Sequence, residues 1–379
     1  AARRLKLKPN TLRQWLIQQG FDASDADRPA PPPPSPPPDP REARDAAFWR
    51  AKATAAEKAR DEAEGLAQHL AGLREVPTCP PSWDVRPDAN SSRSIIIAHT
   101  SDLHAGECID PGEIQGLNGY STPIARERMR RYFEAVCTIG PRWLHDSPCD
   151  GALLTMGGDL ISGDIHDELS RTNDLTSHDQ VAAVVEIYAA GIEMLLKTFG
   201  AVHVVAVPGN HGRTTQKPTA KLAAKLSYDI LAASMLKGLV RDPRVTWQIA
   251  DGIDVRTPVY GRTIVTTHGD RMGTGGGMGF AGPELPILRG AHKMRLQSFS
   301  AAMACDLILS GHYHTSTNLR GVLANGSVPG YSEYGNGLRA ALEPPQQWMA
   351  RFSMGWGLCE RLAVQLGEGK AKMRPKRAA

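Results

Sequence analysis

The chain has 379 residues, 41% of them hydrophobic and 22% charged, with a net charge of +4. That is enough to bury one large core plus small appendages, and no apolar run approaches the ~20 residues of a membrane span. No signal peptide is read, and six cysteines (Cys79, Cys108, Cys137, Cys149, Cys305, Cys359) without a C-x-x-C pair are expected to be free thiols of a reducing cytoplasm.

Charge is unevenly spread. Residues 1–20 hold five basic side chains and no acid, and residues 366–379 hold five against Glu368. The ends therefore carry +5 and +4 of a +4 total, which leaves −5 on everything between. Basic ends on an acidic body point to a polyanionic partner, although such tails also serve solubility alone.

Taken in chain order, residues 1–20 read as an incomplete helix-turn-helix. The first helix would close at Ala1–Leu5, Lys6–Pro9 would turn, and Asn10 would cap a second helix stopped by Gly20. Leu12, Trp15 and Leu16 share one face, leaving Thr11, Arg13, Gln14 and Gln18 to meet a major groove. A short basic amphipathic helix docked on a partner is the alternative. Nine prolines between Pro29 and Pro40 form a semi-rigid spacer over 21–40. Residues 41–75 are Ala-rich, with seven basic and seven acidic residues and apolar positions at helical spacing. They predict one long helix, either the stem of a homodimer or a solvated single helix.

From Ser94 the pattern is α/β. Apolar runs at 95–100, 152–156, 202–207, 264–267 and 307–310 alternate with helical segments near 123–146, 178–199, 217–239 and 285–304. Strands near 244–265, 316–331 and 349–366 imply a second sheet. Each of the five apolar runs ends at a short polar fragment: Ser101-Asp102-Leu103-His104, Gly157-Gly158-Asp159, Gly209-Asn210-His211, Thr267-His268-Gly269-Asp270 and Gly311-His312-Tyr313-His314. Carboxylate and amide oxygens mixed with imidazoles, without thiolate, suit divalent Mn, Fe or Zn. His99 and His203 lie within apolar runs and read as satisfied core histidines.

The five fragments in this order resemble the calcineurin-like metallophosphoesterases over about residues 94–366. The resemblance implies an α/β fold of two facing mixed β-sheets flanked by helices, here with an N-terminal helical appendage. It also implies two divalent ions about 3.5–4 Å apart that acidify a bridging water and grip phosphoryl oxygens. Carried over by position, Asp102, His104 and His314 complete one metal site, and Asn210, His268 and His312 the other, with Asp159 between them. His211 would protonate the leaving oxygen or hold the transition-state charge. Manganese is the first expectation.

The substrate is less sharply written. Leu160 to His166 follow Asp159 where protein phosphatases of this group carry Asp-Arg-Gly, and Gly212 replaces their Glu after His211. The start Gly-Gly-Asp-Leu is closer to double-strand-break repair nucleases, and the loops at 162–168, 208–215 and 343–347 look like phage-encoded members, which would place the protein in a host cytoplasm. Lys217, Lys221 and Lys225, every four residues, suggest a helix face along a phosphate backbone, with Arg126, Arg130 and Arg131 a second cluster; either could be a solvated face. Arg213 is a candidate phosphate contact or a loop stabiliser. His166 and Asp164 would line the pocket or tie down the loop. The Gly-rich stretch 273–279 lacks a Gly-Lys-Ser/Thr ending and reads as a lid beside His268. A DNA nuclease or phosphodiesterase is therefore expected first. A phosphodiesterase or phosphatase of small molecules, or a non-catalytic DNA-binding or phage-assembly factor, is the alternative.

Overall fold

The computed structural model describes residues 14, 17–19, 40–72, 93–144, 147–273 and 284–367. Nearly all of the expected spacer, basic tail, helix-turn-helix and glycine run lies outside them. The chain divides into two compact units, Ala1–Asp84 and Val85–Ala379. The first contains α1 (Pro40–Gly72), a 33-residue helix. Its ionic contacts are local, Arg60 lying 3.4 Å from Glu64 one turn on, and both Phe48 and Trp49 are exposed. A helix with so weak an apolar stripe relies on Ala propensity and such i,i+4 pairs.

The second unit is built from two mixed sheets. In the first, β1 (Ser94–Thr100), β2 (Cys149–Met156), β3 (Val202–Ala206) and β4 (Val245–Ile249) run parallel. They are continued antiparallel on the far side of β1 by β10 (Gln346–Ser353) and β11 (Gly357–Gln365). In the second, β5 (Asp254–Val259) pairs antiparallel with β6 (Arg262–Thr267), which runs parallel to β7 (Leu307–Ser310) and β9 (Val322–Ala324). The strand β8 (Thr317–Leu319) closes that edge antiparallel to β9. The segments 254–265 and 316–331 lie in the second sheet as expected, but β4 and the segment 349–366 do not. The segment 349–366 returns to the first sheet, pairing Ile97 with Ala350, because β10 is buried along most of its length and must sit centrally. Two of the five fragment-bearing strands, β6 and β7, belong to the second sheet instead.

The sheets face each other through Ile97, Leu153 and Val205 on one side and Ile264, Leu309 and Leu323 on the other. Helices cover the outer faces. On the first sheet, α2 (Thr122–Leu144) buries Ala125, Met129, Tyr132, Phe133 and Val136, an i, i+4, i+7 stripe. Beside it packs α4 (Ser177–Phe199), capped by the Thr176 hydroxyl and ended by Gly200 at φ 79°. The short α3 (Asp167–Thr172) precedes it, and α5 (Tyr228–Leu239) follows β3. On the second sheet, α6 (Glu284–Ser300) packs Ile287 and Ala291 against Val265 and Ile308, and α7 (Glu333–Gly337) is a single turn. The helix expected over 217–239 begins only at Tyr228; residues 217–227 are mostly turns and bends, so Lys217, Lys221 and Lys225 share no helix face. Ser227 supplies the reason, since its hydroxyl caps the helix by accepting from the Asp229 amide.

The consequence for the site is geometric. Parallel strands β1, β2, β3 and β6, β7 all end on one edge of the sandwich, so the loops that follow them are brought together there. Among the described residues Cys108, Cys137, Cys149, Cys305 and Cys359 are free thiols, and no helix is long and apolar enough to cross a membrane.

Candidate metal centre

Three of the five fragments, those after β1, β2 and β7, leave their strands through a backbone conformation that L-residues avoid. Asp102, His104, Asp159, His312 and His314 have φ of 51°, 46°, 50°, 71° and 53°. A non-glycine residue held there costs of order 1–3 kcal/mol and persists only where its surroundings over-determine it. They do so here. The Asp102 and His104 amides donate to the Gly158 and Asp159 carbonyls, both at 3.0 Å, and the Gly311 amide donates to the His268 carbonyl at 2.8 Å. Gly158 and Gly209 permit the close packing: a Cβ on Gly158 (φ 86°) would lie 2.7 Å from the Gly209 nitrogen, and one on Gly209 would overlap Asp159.

Two clusters result. Asp102, His104 and His314 bring one donor atom each within 4.8 Å of the others, and so do Asp159, His268 and His312. In the first, His104 Nε2 lies 3.1 Å from His314 Nε2, which is 3.4 Å from Asp102 Oδ1. In the second, His268 Nε2 lies 3.0 Å from Asp159 Oδ2 and 3.1 Å from Asn210 Oδ1, so Asn210 joins this group. The His104 and His268 rings are fully buried, whereas the His314 side chain is 39% exposed and opens the site to solvent.

The residues fit divalent ions. Imidazole nitrogens and carboxylate oxygens converge in a buried site, and His104 Nδ1 is buried with no hydrogen-bond partner. Asp102 and Asp159 are carboxylates with almost no water contact, which is stable only against positive charge. Without an ion the histidines supply it. Burial raises the Asp159 carboxyl, but His268 and His211 together hold it well below its ordinary value. Burial likewise opposes charge on His268, and Asp159 overrides it, pushing the imidazole up to about 10. His312 is driven the other way, to about 4, by burial and by the charge of His268. His104 falls well below its usual range through burial and the neighbouring His211 and His314.

His211 stands beside both clusters. Its amide donates to Asp159 Oδ1 at 2.7 Å, its Nδ1 meets the Ser162 carbonyl at 3.0 Å, and its ring lies 4.6 Å from that of His104. Because the Ser162 carbonyl can only accept, His211 Nδ1–H donates to it, which leaves Nε2 as the nitrogen facing proton transfer. His166 lies 5.5 Å from the His211 ring.

Several residues that support the site were given no role in it by the sequence reading. Asp229 is fully buried at the start of α5 and accepts from the Leu160 amide at 3.0 Å and the Gly209 amide at 2.8 Å, tying the loop after β2 to the loop after β3. Burial, then the charge of Asp159, raises its carboxyl to about 6. Ser101 donates its hydroxyl to Asp102 Oδ2, its amide to Gln347 at 2.8 Å, and its oxygen accepts from Asn325 at 3.2 Å. Gln180 receives the Gly163 amide at 2.9 Å. None carries a metal-ligand spacing; only a polar residue inside an apolar stretch marks them.

The candidate substrate contacts are more dispersed. Arg213 donates to the Asn210, Thr215 and Gln216 carbonyls at 2.7, 3.0 and 3.2 Å, so its guanidinium orders the loop that carries Asn210. Lys217, Lys221 and Lys225 are exposed along the same loop. Arg130 and Arg131 pair with Glu127, and Arg126 with Glu186, which makes that cluster an ion-paired helix surface. His99 is a satisfied core residue, held by Thr155 at 2.7 Å and the Ser310 carbonyl at 3.0 Å, and His203 meets Thr246 at 2.7 Å.

No family model and no curated protein matches the chain. Among solved structures, a protein of unknown function from Aquifex aeolicus is 14% identical, with 64% of this chain and 92% of that one covered and a TM-score of 0.27. A Staphylococcus aureus protein provisionally named a 5′-nucleotidase, solved with alpha-ketoglutarate, is 13% identical, with 75% of this chain covered and a TM-score of 0.32. The chain spans 56% of that second structure's length.

Proposed function

We propose that the chain is a metal-dependent phosphodiester hydrolase whose substrate is DNA. The observation that carries this reading is the pair of clusters, Asp102/His104/His314 and Asp159/His268/His312, side by side at the carboxyl ends of strands from both sheets. The order of the fragments that supply them resembles the calcineurin-like metallophosphoesterases. In this reading Asp102, His104 and His314 would hold one ion and Asn210, His268 and His312 the other, with Asp159 available to both; manganese would be preferred, with iron or zinc as substitutes. Bound there, two divalent ions supply a nucleophile at neutral pH and neutralise charge on the phosphoryl oxygens.

The chain's own residues do the rest. Ser101 and the His312 amide, 2.9 Å from Asp102 Oδ1, fix the Asp102 carboxylate before substrate arrives. Asp229 keeps Asp159 and Asn210 in register by holding the amides next to each. His211, with Nδ1 committed to Ser162, delivers a proton from Nε2 to the departing oxygen. Lys217 and Lys221 add positive charge beside the site, and the basic N-terminal module supplies a tether to DNA.

The test is hydrolysis with Mn²⁺ of linear and circular DNA beside bis-p-nitrophenyl phosphate. Cleavage of both classes of substrate supports the full reading. Cleavage of the small diester alone moves the function to small-molecule phosphodiesters, and inactivity on every substrate with Mn²⁺, Fe²⁺ and Zn²⁺ rejects a hydrolase.

A further inference from the structure

The edge of the sandwich opposite the clusters carries a second feature. Strands β6 and β7 begin there, the β8–β9 turn lies there, and so does the β10–β11 turn, since β10 runs antiparallel to β1. Between these turns opens a cleft of ≈ 640 Å³, lined among others by Arg262, Arg320, Arg361, Trp356 and Asp306. Both sheets contribute to it, and none of the metal-centre residues does.

Three arginines face one carboxylate, and that carboxylate is engaged, because Asp306 accepts from the Thr263 amide at 2.7 Å. Among the described residues neither the Arg320 nor the Arg361 guanidinium has a hydrogen-bond or ion-pair partner, and both residues are exposed. Trp356 is 78% exposed, an unusual place for an indole, yet its turn is fixed. Arg262 donates to the Met354 carbonyl at 2.9 Å and the Gly355 carbonyl at 3.2 Å, and the Trp356 amide donates to Ser353 at 3.0 Å. The opposite turn is fixed in the same way. Arg295 donates to the Arg320 carbonyl at 3.1 Å and the Gly321 carbonyl at 2.9 Å. The turns that carry Trp356 and Arg320 are thus fixed across one cleft before any ligand arrives, and they present an indole and two uncommitted guanidinium groups to it.

We propose that this cleft binds a phosphate ligand carrying a planar base, with Trp356 stacking on the base and Arg320 and Arg361 engaging phosphate. Stacking on an aromatic face and bidentate contact by arginine are how single strands and nucleotides are held without reading sequence. The site is separate from the clusters, so the inference does not depend on the proposed hydrolase.

The experiment is fluorescence anisotropy of a labelled oligothymidylate with the full chain, in chelator so that no strand is cut. The double variant Arg320→Ala/Arg361→Ala should weaken binding and reduce the slope of log affinity against log salt by about 1.4, the worth of two single-strand phosphates. Trp356→Ala should weaken it roughly tenfold, and Trp356→Phe should restore most of the loss. Metal-dependent hydrolysis of bis-p-nitrophenyl phosphate, where present, should be unchanged in all three variants. Competition by thymidine monophosphate at similar concentration identifies a nucleotide site, and competition only by longer strands identifies a strand site; both support the proposal. Unchanged affinity in the variants overturns it. So does loss in the arginine variant with none in Trp356→Ala, which would leave a plain anion patch.

Discussion

His211 shows how one residue's task is set by what its neighbours have already taken. Its amide belongs to Asp159 and its Nδ1 to Ser162, so removing the ring leaves both metal clusters their own donors. His211→Ala should therefore keep its metal content by emission spectroscopy while turnover drops about 10²–10⁴-fold, the usual worth of a positioned acid. Metal lost in parallel with activity would make His211 a ligand instead. Asp229 gives a second residue-level expectation. Its folded carboxyl, near 6, binds a proton more tightly than an unfolded Asp near 3.8. Between about pH 4 and 6 the folded state therefore holds the extra proton, and metal-free stability declines as pH rises through that window. The full cost above it is on the order of 3 kcal/mol. Asp229→Asn, which keeps one acceptor oxygen, should flatten that part of the profile of melting temperature against pH; superimposable profiles would contradict the assignment.

Strand ends were the most legible elements. An apolar run that stops at Asp, Asn or His says where a buried sheet meets a polar loop, and the runs expected at 95–100, 152–156, 202–207, 264–267 and 307–310 match β1, β2, β3, β6 and β7 closely. Sheet membership was not legible, because pairing β10 with β1 joins residues about 250 positions apart, and periodicity carries no information about partners. The 217–239 segment failed for a local reason. Spacing of lysines mimics a helix, but the Ser227 cap, read correctly, marks the true start. Asp229 was hidden by the same error, since it was assigned to a helix interior when it sits in a first turn aimed at two loops. The loops themselves supply a third prediction. Gly209→Ala places a methyl group against the Asp159 amide and carboxylate, so it should reduce both metal content and activity, with the fold retained by circular dichroism. Full metal content in that variant would show that the loop has room to shift.

At the scale of the whole molecule the charge is divided, with +5 over residues 1–20 and every proposed ligand at or beyond Asp102. Deleting residues 1–40 should weaken DNA binding and flatten its salt dependence, because fewer counterions are released, while hydrolysis of a small phosphodiester survives. Equal DNA affinity of the truncated and full-length chains at low salt would remove the tether from the account. The hydrolase reading itself rests on the two clusters acting together as one centre. The most direct measurement is manganese bound per chain, by emission spectroscopy after removal of free metal, on the full-length protein and two variants. Two ions per chain are expected, with one retained in His104→Ala and neither held tightly in Asp159→Ala, and with hydrolysis lost alongside. A wild-type chain that retains no ion, or an Asp159→Ala variant that still retains two, would contradict the shared dinuclear centre.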